Sequence, residues 1–148
     1  MIVLSKIREH FPVRRLEWAC AAIIAGLGAR LLDPADTFAQ PSFRELAAFA
    51  DEGTWGTAML LIGGLRMIVL AYNGAWRPSP ELRGLFAITC GIIFAALTFG
   101  LEAAGTASTG PVPYLVLFLC EGSNTWIAAV DARVPFNERT HKNGNTDR

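Results

Sequence analysis

Long apolar runs alternate with short polar segments along this chain. Four stretches, at about 16–32, 56–72, 82–101 and 114–130, are almost free of charge, and the ionic residues lie between and beyond them. A helix packed on a soluble core carries a polar face that returns every three or four residues, and these stretches have none. Runs of this length are typical of transmembrane helices. The sequence therefore predicts an all-α fold, an integral membrane four-helix bundle that occupies residues 16–130.

The segments outside the spans are short and polar. Residues 1–15 are basic, and their apolar members Leu4, Ile7 and Phe11 recur at helical spacing. This pattern predicts either a cytoplasmic amphipathic helix on the membrane surface or a frayed polar tail. Residues 131–148 are predicted to form a polar cytoplasmic tail, disordered in its last part.

The longest loop, residues 33–53, carries the signature of a short helix. Ser42 and Glu45 have the spacing of a capping box, in which each side chain binds the backbone N–H of the other residue. The apolar residues that follow fall on one face. We therefore expect a two-turn helix lying at the membrane interface.

A cleaved signal peptide is the alternative explanation of the first span. Basic residues precede its apolar run, and Thr37-Phe38-Ala39 could serve as a cleavage site. However, Arg30 interrupts the run, and acidic residues follow it directly. A retained helix is therefore the prediction.

Basic residues are concentrated on one side of the predicted bundle. Four spans place ten of them on the side of both termini, against Arg44 alone on the other; the ten are Lys6, Arg8, Arg14, Arg15, Arg77, Arg83, Arg133, Arg139, Lys142 and Arg148. Because loops rich in Lys and Arg stay in the cytoplasm, both termini are predicted to be cytoplasmic. Aromatic residues, which favour the interfaces, agree: Trp18, Tyr72 and Trp76 mark the inner one, and Trp55 and Tyr114 the outer one.

The second span carries a charge, Arg66, near its middle. Its seven Leu, Ile and Val residues favour insertion by about 2 to 4 kcal/mol, and a central arginine costs about 2.5 to 3.5 kcal/mol. The span is therefore close to break-even and needs a partner. Arg66 lies about 16 Å below Trp55, and Glu121 about 10 Å below Tyr114. We predict that Arg66 and Glu121 form an intramembrane pair, with Arg30 as the competing partner, and that its role is structural rather than ion-conducting.

Three polar residues follow Glu121 in the fourth span, namely Ser123, Asn124 and Thr125. Polar groups at this depth are costly in lipid. We expect this polar cluster to face protein or water.

Small residues recur at four-residue spacing in two spans. Ala21, Ala25 and Ala29 form one row, a second row holds Ala22 and Gly26, and the third span carries Ala87, Gly91 and Ala95. Such rows let helices approach closely in lipid. They predict helix packing, either between copies of the chain or within one bundle.

No stretch carries the chemistry of a catalytic site. Cys20, Cys90 and Cys120 lie in three different spans without CxxC spacing, which is typical of buried thiols. His10 and His141 lie in the two polar tails. Phosphate loops, nucleophile elbows and dinucleotide fingerprints are not found. The sequence therefore predicts a protein that is not an enzyme and has no catalytic residue, metal, cofactor or nucleic-acid partner.

Three segments carry a resemblance to a known group of proteins: Pro34–Ala39, Tyr72–Arg83 and Asp131–Arg133. With them, the stretch from Leu16 to Arg133 resembles small multi-span membrane proteins of proteobacterial phages and prophages, largely of unassigned function. The resemblance implies a bacterial inner membrane and a phage context. It implies no catalytic residue.

These observations leave three classes of function. The first is a holin-like protein that self-associates through its small-residue faces and permeabilises the membrane. The second is a non-enzymatic accessory or binding protein, such as a superinfection-exclusion protein or a complex subunit. The third is a small transporter or channel subunit. All three have the lipid bilayer as their environment, and they differ in whether the partner is a second copy of the chain or another membrane protein.

Overall fold

The computed structural model describes residues 14–75, 79–105 and 109–133. The regular secondary structure of these residues is all helical, without a strand among them, as the sequence predicts. The helices are α1 (Arg15–Leu31), α2 (Arg44–Ala47), α3 (Glu52–Ala75), α4 (Pro80–Ala103) and α5 (Pro111–Ala132), with a 3-10 turn at Pro41–Phe43. The predictions for residues 1–13, for Trp76 and Arg77 and for residues 134–148 lie outside the described residues.

Three helices are long and apolar enough to cross a membrane. They are Glu52–Tyr72 of α3, all of α4 and all of α5. The helix α1 has 17 residues, about 25 Å at 1.5 Å per residue, against about 30 Å for the hydrocarbon core. Three of the four predicted spans thus meet this test of length and composition.

The helices begin earlier than the apolar runs because polar and proline residues start them. Pro80 and Pro111 occupy the first position of α4 and α5, where a proline needs no hydrogen-bond partner. Asp51 precedes α3, and its carboxylate accepts hydrogen bonds from the Thr54 N–H at 2.9 Å and from the Thr54 hydroxyl at 2.6 Å. These bonds satisfy an N–H at the helix start and lower the pKa of Asp51.

The four long helices pack mainly as two antiparallel pairs, α1 with α3 and α4 with α5. In the first pair the backbones touch. A Cβ atom added to Gly28 would lie 2.3 Å from the backbone N of Leu60 and 2.7 Å from the carbonyl oxygen of Gly56. A Cβ on Gly63 would lie 2.6 Å from the backbone N of Ala25. Only glycine fits at these two positions, as in close helix contacts of membrane proteins.

The α4/α5 pair is packed less tightly. A Cβ on Gly91 would lie 3.5 Å from the Cβ of Glu121, and one on Gly84 would lie 3.6 Å from the Cβ of Ala128. Both distances are ordinary van der Waals contacts. Near the other end of the pair, Phe94 and Tyr114 stack with ring centroids 6.5 Å apart. The Gly91 and Gly84 contacts therefore leave room for a methyl group.

The small-residue rows are only partly at these interfaces. Ala21, Ala25, Ala87 and Gly91 are buried, but Ala29 is exposed and Ala95 is half-buried. Eight residues advance a helix by 800°, which turns the third member of each row about 80° away from the first. Gly28, seven residues after Ala21, replaces Ala29 on the packed face. Ala22, Gly26 and Ala29 lie on the exposed side of α1 and take no part in packing within one bundle, so packing between copies stays a prediction for them.

The loop between α1 and α3 folds over one end of the helices. Leu46 is 2 % exposed, and its side chain packs against Gly100. A Cβ atom added to Gly100 would lie only 2.8 Å from Leu46 Cγ. The indole N–H of Trp55 donates to the Leu46 carbonyl at 3.2 Å. Glu52 accepts the backbone N–H groups of Thr37 and Phe38, both at 3.0 Å. These contacts fix the loop on α3 and α4.

The predicted capping box is wrong. Pro41 begins a 3-10 turn, so Ser42 lies inside that turn, and neither the turn nor α2 has a side-chain cap at its start. Glu45 instead accepts both the Nε–H and an Nη2–H of Arg44, at 3.0 and 2.8 Å. The short helix itself is present, but it has four residues.

Candidate functional site

The most polar point inside the helices is a pair of opposite charges on α3 and α5. Both terminal nitrogens of Arg66 donate to Glu121, Nη1 to Oε1 and Nη2 to Oε2, the latter at 2.8 Å. Each residue is 1 % exposed. The Nδ2–H of Asn124 donates to Oε2 of the same carboxylate at 2.9 Å. The structure therefore brings together the two residues expected to face each other, in a bidentate arrangement with no access to solvent.

Thiols from the other two long helices complete the surroundings of this pair. Cys20 on α1 and Cys90 on α4 are both 0 % exposed and belong to the apolar core of the helices. Cys120 is half-buried and packs against the same apolar core. All three cysteines are free thiols. The hydrogen bonds between Arg66 and Glu121 join α3 to α5, and the thiols lie in the core shared by the long helices.

Of the predicted polar cluster, only Asn124 joins the central pair. Ser123 is exposed, and its hydroxyl donates back to the Leu119 carbonyl at 3.4 Å. Thr125 is half-buried and donates to the Glu121 carbonyl at 2.8 Å. Two residues turn a helix by about 200°, which places Ser123 opposite Glu121. Ser123 therefore lies on the exposed face of α5, where its hydroxyl is satisfied within its own helix.

The competing partner proposed for Glu121 is elsewhere. Arg30 forms an exposed ion pair with Asp33, three residues later. Its helix, α1, ends at Leu31, so the guanidinium lies at the end of the helix rather than at the depth of Glu121. The central pair therefore has a single arginine.

A second ionic cluster, which the sequence did not predict, lies near the other end of the helices from the Leu46 loop. The Arg83 side chain on α4 donates from Nε to Glu17 Oε2 at 3.0 Å and from Nη2 to Glu17 Oε1. Its Nη1 donates to Asp131 Oδ2 at 2.8 Å. Arg83 and Glu17 are 4 % and 5 % exposed, whereas the Asp131 side chain is about half exposed. Ten residues of α5 separate Asp131 from Glu121, about 15 Å along the axis.

Arg14 borders this second cluster. Its Nη1 is the one buried side-chain polar atom without a hydrogen-bond partner in residues 14–75, 79–105 and 109–133. Burial lowers the pKa of Arg14, and the positive charge of Arg83 lowers it further, while Glu17 and Asp131 act in the opposite direction. The cluster therefore combines two arginines with two carboxylates.

The order of charges along the chain carries a signal for this second cluster. No partner was predicted for Glu17 or Arg83, because charged side chains near helix ends can extend towards water. In an alternating topology, however, the start of α1, the start of α4 and the end of α5 lie at the same end. Opposite charges on three helices at one level can pair across the interior, and here they do.

Each cluster links the two helix pairs. Arg66 on α3 holds Glu121 on α5, and Arg83 on α4 holds Glu17 on α1. Buried charges need such partners, since an unpaired one costs several kcal/mol. Within the described residues, no group of three His, Cys, Asp or Glu side chains could hold a metal ion. The chemistry of both clusters is therefore that of mutual neutralisation and interhelical connection.

Comparison of the chain with protein-family models, with curated proteins and with solved structures gives no significant match.

Proposed function

We propose that this is a multi-pass protein of the bacterial inner membrane, a four-helix bundle with both termini in the cytoplasm, which acts as a non-enzymatic accessory protein for another membrane component. Three helices that are long and apolar enough to span a membrane support the environment. The ten-to-one distribution of basic residues in the sequence supports the orientation. The resemblance to small phage and prophage membrane proteins makes superinfection exclusion one form of this role.

The packing of α1 supports its inclusion as the fourth span. It runs antiparallel to α3, from the Gly63 contact with Ala21 and Ala25 to the Gly28 contact with Leu60. Its first turn carries Glu17, which binds Arg83 in the first turn of α4. A helix attached over its length to a membrane-spanning neighbour shares the depth of that neighbour. The shorter length of α1 is accommodated by local thinning of the bilayer.

One observation carries the accessory role: the buried charges and most of the small residues are used inside a single chain. Glu121 and Glu17 each bind an arginine, and Ala21, Ala25 and Gly91 are buried. The large residues exposed on the long helices are mostly apolar, among them Leu61, Ile68, Leu85, Ile92, Val116 and Leu119. Such a surface suits lipid or an apolar partner helix, whereas an aqueous pore requires a polar lining.

Permeabilisation of sealed liposomes tests this role. The purified protein is reconstituted into vesicles that hold a potassium diffusion potential, which is followed with a potential-sensitive dye. We expect the potential to decay as in protein-free vesicles, because the exposed faces of the long helices, in the part of the chain that the structure describes, are mostly apolar. Rapid collapse that increases with protein density would overturn the accessory role and establish the holin-like one.

The topology has its own test. Reporter fusions after Gly105 and after Arg148 should report opposite sides of the membrane, with the second in the cytoplasm. A shared side for both fusions would contradict the four-span arrangement. A mature protein that begins near Gln40 would identify the first span as a cleaved signal.

One specific observation supports the holin-like alternative. Ala22, Gly26 and Ala29 lie on the exposed side of α1, and a Cβ on Gly26 would meet no atom within 4 Å. A second copy could approach there as small residues allow. Gly26→Leu should then abolish cross-linked oligomers, while Gly122→Leu, at an equally open glycine on α5, should leave them intact. Equal cross-linking of both variants would remove this alternative.

A further inference from the structure

An apolar groove lies between the α1–α3 loop and the last turns of α4. It has a volume of about 460 Å³. Its lining is Glu45, Leu46, Phe49, Trp55, Ala96, Phe99, Gly100 and Ala103, and nearly all of its surface is carbon. Phe49 and Phe99 are 84 % and 69 % exposed. A space this apolar gives ordered water no partners.

The polar groups nearest the groove are already occupied. The indole N–H of Trp55 and the carbonyl of Leu46 bind each other, so the ring of Trp55 presents a fixed apolar wall. Gly100 has no side chain, which leaves room for Leu46 to reach α4. The groove is therefore held open by a hydrogen bond and a glycine.

The groove continues the surface of α4 that faces outwards. Ile92, Ala96, Phe99 and Ala103 follow one another at helical spacing, and the two largest of them are strongly exposed. Because α4 is one of the helices long and apolar enough to cross a membrane, this face opens sideways to hydrocarbon. A flexible apolar chain in the bilayer can enter it without crossing water.

The rim of the groove is zwitterionic. Arg44 and Glu45 form an ion pair there, with 71 % and 37 % of their side chains exposed. A guanidinium and a carboxylate side by side are complementary to the phosphate and the ammonium of a zwitterionic headgroup. An anionic lipid offers only the first of these contacts.

We propose that this groove binds one acyl chain of a zwitterionic phospholipid from the leaflet at the Leu46 end, with the headgroup at Arg44 and Glu45. The proposal rests on the membrane insertion described under Proposed function. It goes beyond that function, because it assigns a specific lipid site to a surface that would otherwise only contact bulk lipid.

Two tryptophans allow the site to be compared with ordinary lipid contact. Trp55 lines the groove, and Trp126 is 68 % exposed on α5. Two variants keep one of them each, the remaining tryptophans being replaced by phenylalanine. Both are reconstituted in vesicles with an increasing fraction of a phosphatidylethanolamine whose acyl chains are brominated, which quenches tryptophan on contact. We expect half-maximal quenching of Trp55 at a brominated fraction several-fold lower than for Trp126.

Substitutions separate the groove from its surroundings. Ala103→Phe fills the groove and should shift the Trp55 curve to that of Trp126, whereas Ala129→Phe, at an exposed alanine of α5, should not. Brominated phosphatidylglycerol should show a smaller preference for Trp55. The charge-neutral variant with Arg44→Gln and Glu45→Gln should remove the difference between the two lipids.

The outcomes distinguish this proposal from the one it rests on. Quenching of both tryptophans along the same curve would overturn the lipid site and leave membrane insertion standing. Trp126 that is not quenched at any brominated fraction would overturn insertion itself, and the lipid site with it. The comparison between Trp55 and Trp126 needs no groove-filling variant, so poor folding of Ala103→Phe does not weaken it.

Discussion

The contact between α1 and α3 and the contact between the two helix pairs depend on opposite kinds of residue. Within the first pair, Gly28 and Gly63 bring backbone against backbone. Between the pairs, two arginines reach across to two glutamates. One interface depends on the absence of side chains, and the other on the longest polar side chains available.

For the proposed membrane protein, this difference follows from what holds helices together in lipid. Lipid tails are as apolar as leucine, so no hydrophobic force brings helices together, and stability comes from close packing and polar contacts. Close packing requires a smooth surface over several turns, which the glycines of α1 and α3 provide. Ion pairs require only two residues at matching depth, but these fix the register of the two pairs. We infer that the glycines hold α1 against α3 and that the charges determine how the two helix pairs combine.

Breaking the central pair from one side should have the largest effect. Arg66→Met leaves Glu121 buried without its cation, and removal of one partner of a buried ion pair costs about 3 to 5 kcal/mol. The double variant, Arg66→Met with Glu121→Met, removes both charges and should be more stable than Arg66→Met alone, since apolar replacements of whole pairs are often neutral. Unfolding in detergent followed by circular dichroism measures both. A double variant that is less stable than either single one would show that the charges contribute more than mutual neutralisation.

Substitutions at two neighbouring glycines of α3, Gly63 and Gly64, test the contact between α1 and α3. A Cβ on Gly63 would overlap the backbone of α1, whereas one on Gly64 would meet nothing within 4 Å. Gly63→Ala should therefore destabilise by about 1 to 3 kcal/mol through overpacking. Gly64→Ala should stabilise by up to about 1 kcal/mol, because alanine favours helices over glycine. The same unfolding measurement compares them, and equal effects would show that α1 and α3 separate easily enough to accept a methyl group.

The two interfaces also differ in how far the sequence alone could predict them. Arg66 and Glu121 were predictable because each is the one charge in the middle of its predicted span. Their depths, counted from Trp55 and Tyr114, are also similar enough for the two side chains to meet. Glu17 and Arg83 were not, because a charge near a helix end has water as an alternative partner, and only the packing decides. The buried position of Gly28 rather than Ala29 depends on helix rotation, which four-residue spacing does not fix over two turns.

The α4/α5 pair, whose glycines leave room for a methyl group, serves as a control for the glycine contacts between α1 and α3. A Cβ on Gly91 would lie 3.5 Å from Glu121 Cβ, an ordinary contact. Gly91→Ala should therefore keep the fold and change stability by less than about 1 kcal/mol, with helix propensity in its favour. Thermal unfolding beside Gly63→Ala makes the comparison. A loss as large as that of Gly63→Ala would mean that both pairs depend equally on backbone contact.

The smallest effect is expected at the exposed edge of the second cluster. Asp131 binds Arg83, but its side chain is 49 % exposed, against 6 % for Glu17. Water therefore compensates for much of the interaction between Asp131 and Arg83, and ion pairs open to solvent contribute about 0.2 to 1 kcal/mol to stability. Asp131→Asn should stay within that range and lose its effect in high salt. Glu17→Gln leaves the buried Arg83 with only its solvent-exposed partner, so it should destabilise more and respond less to salt. Unfolding of both variants at low and high ionic strength provides the measurement. Equal losses would show that Arg83 is anchored as much by Asp131 as by Glu17, and that the second cluster joins α4 to α5 as strongly as it joins the two helix pairs.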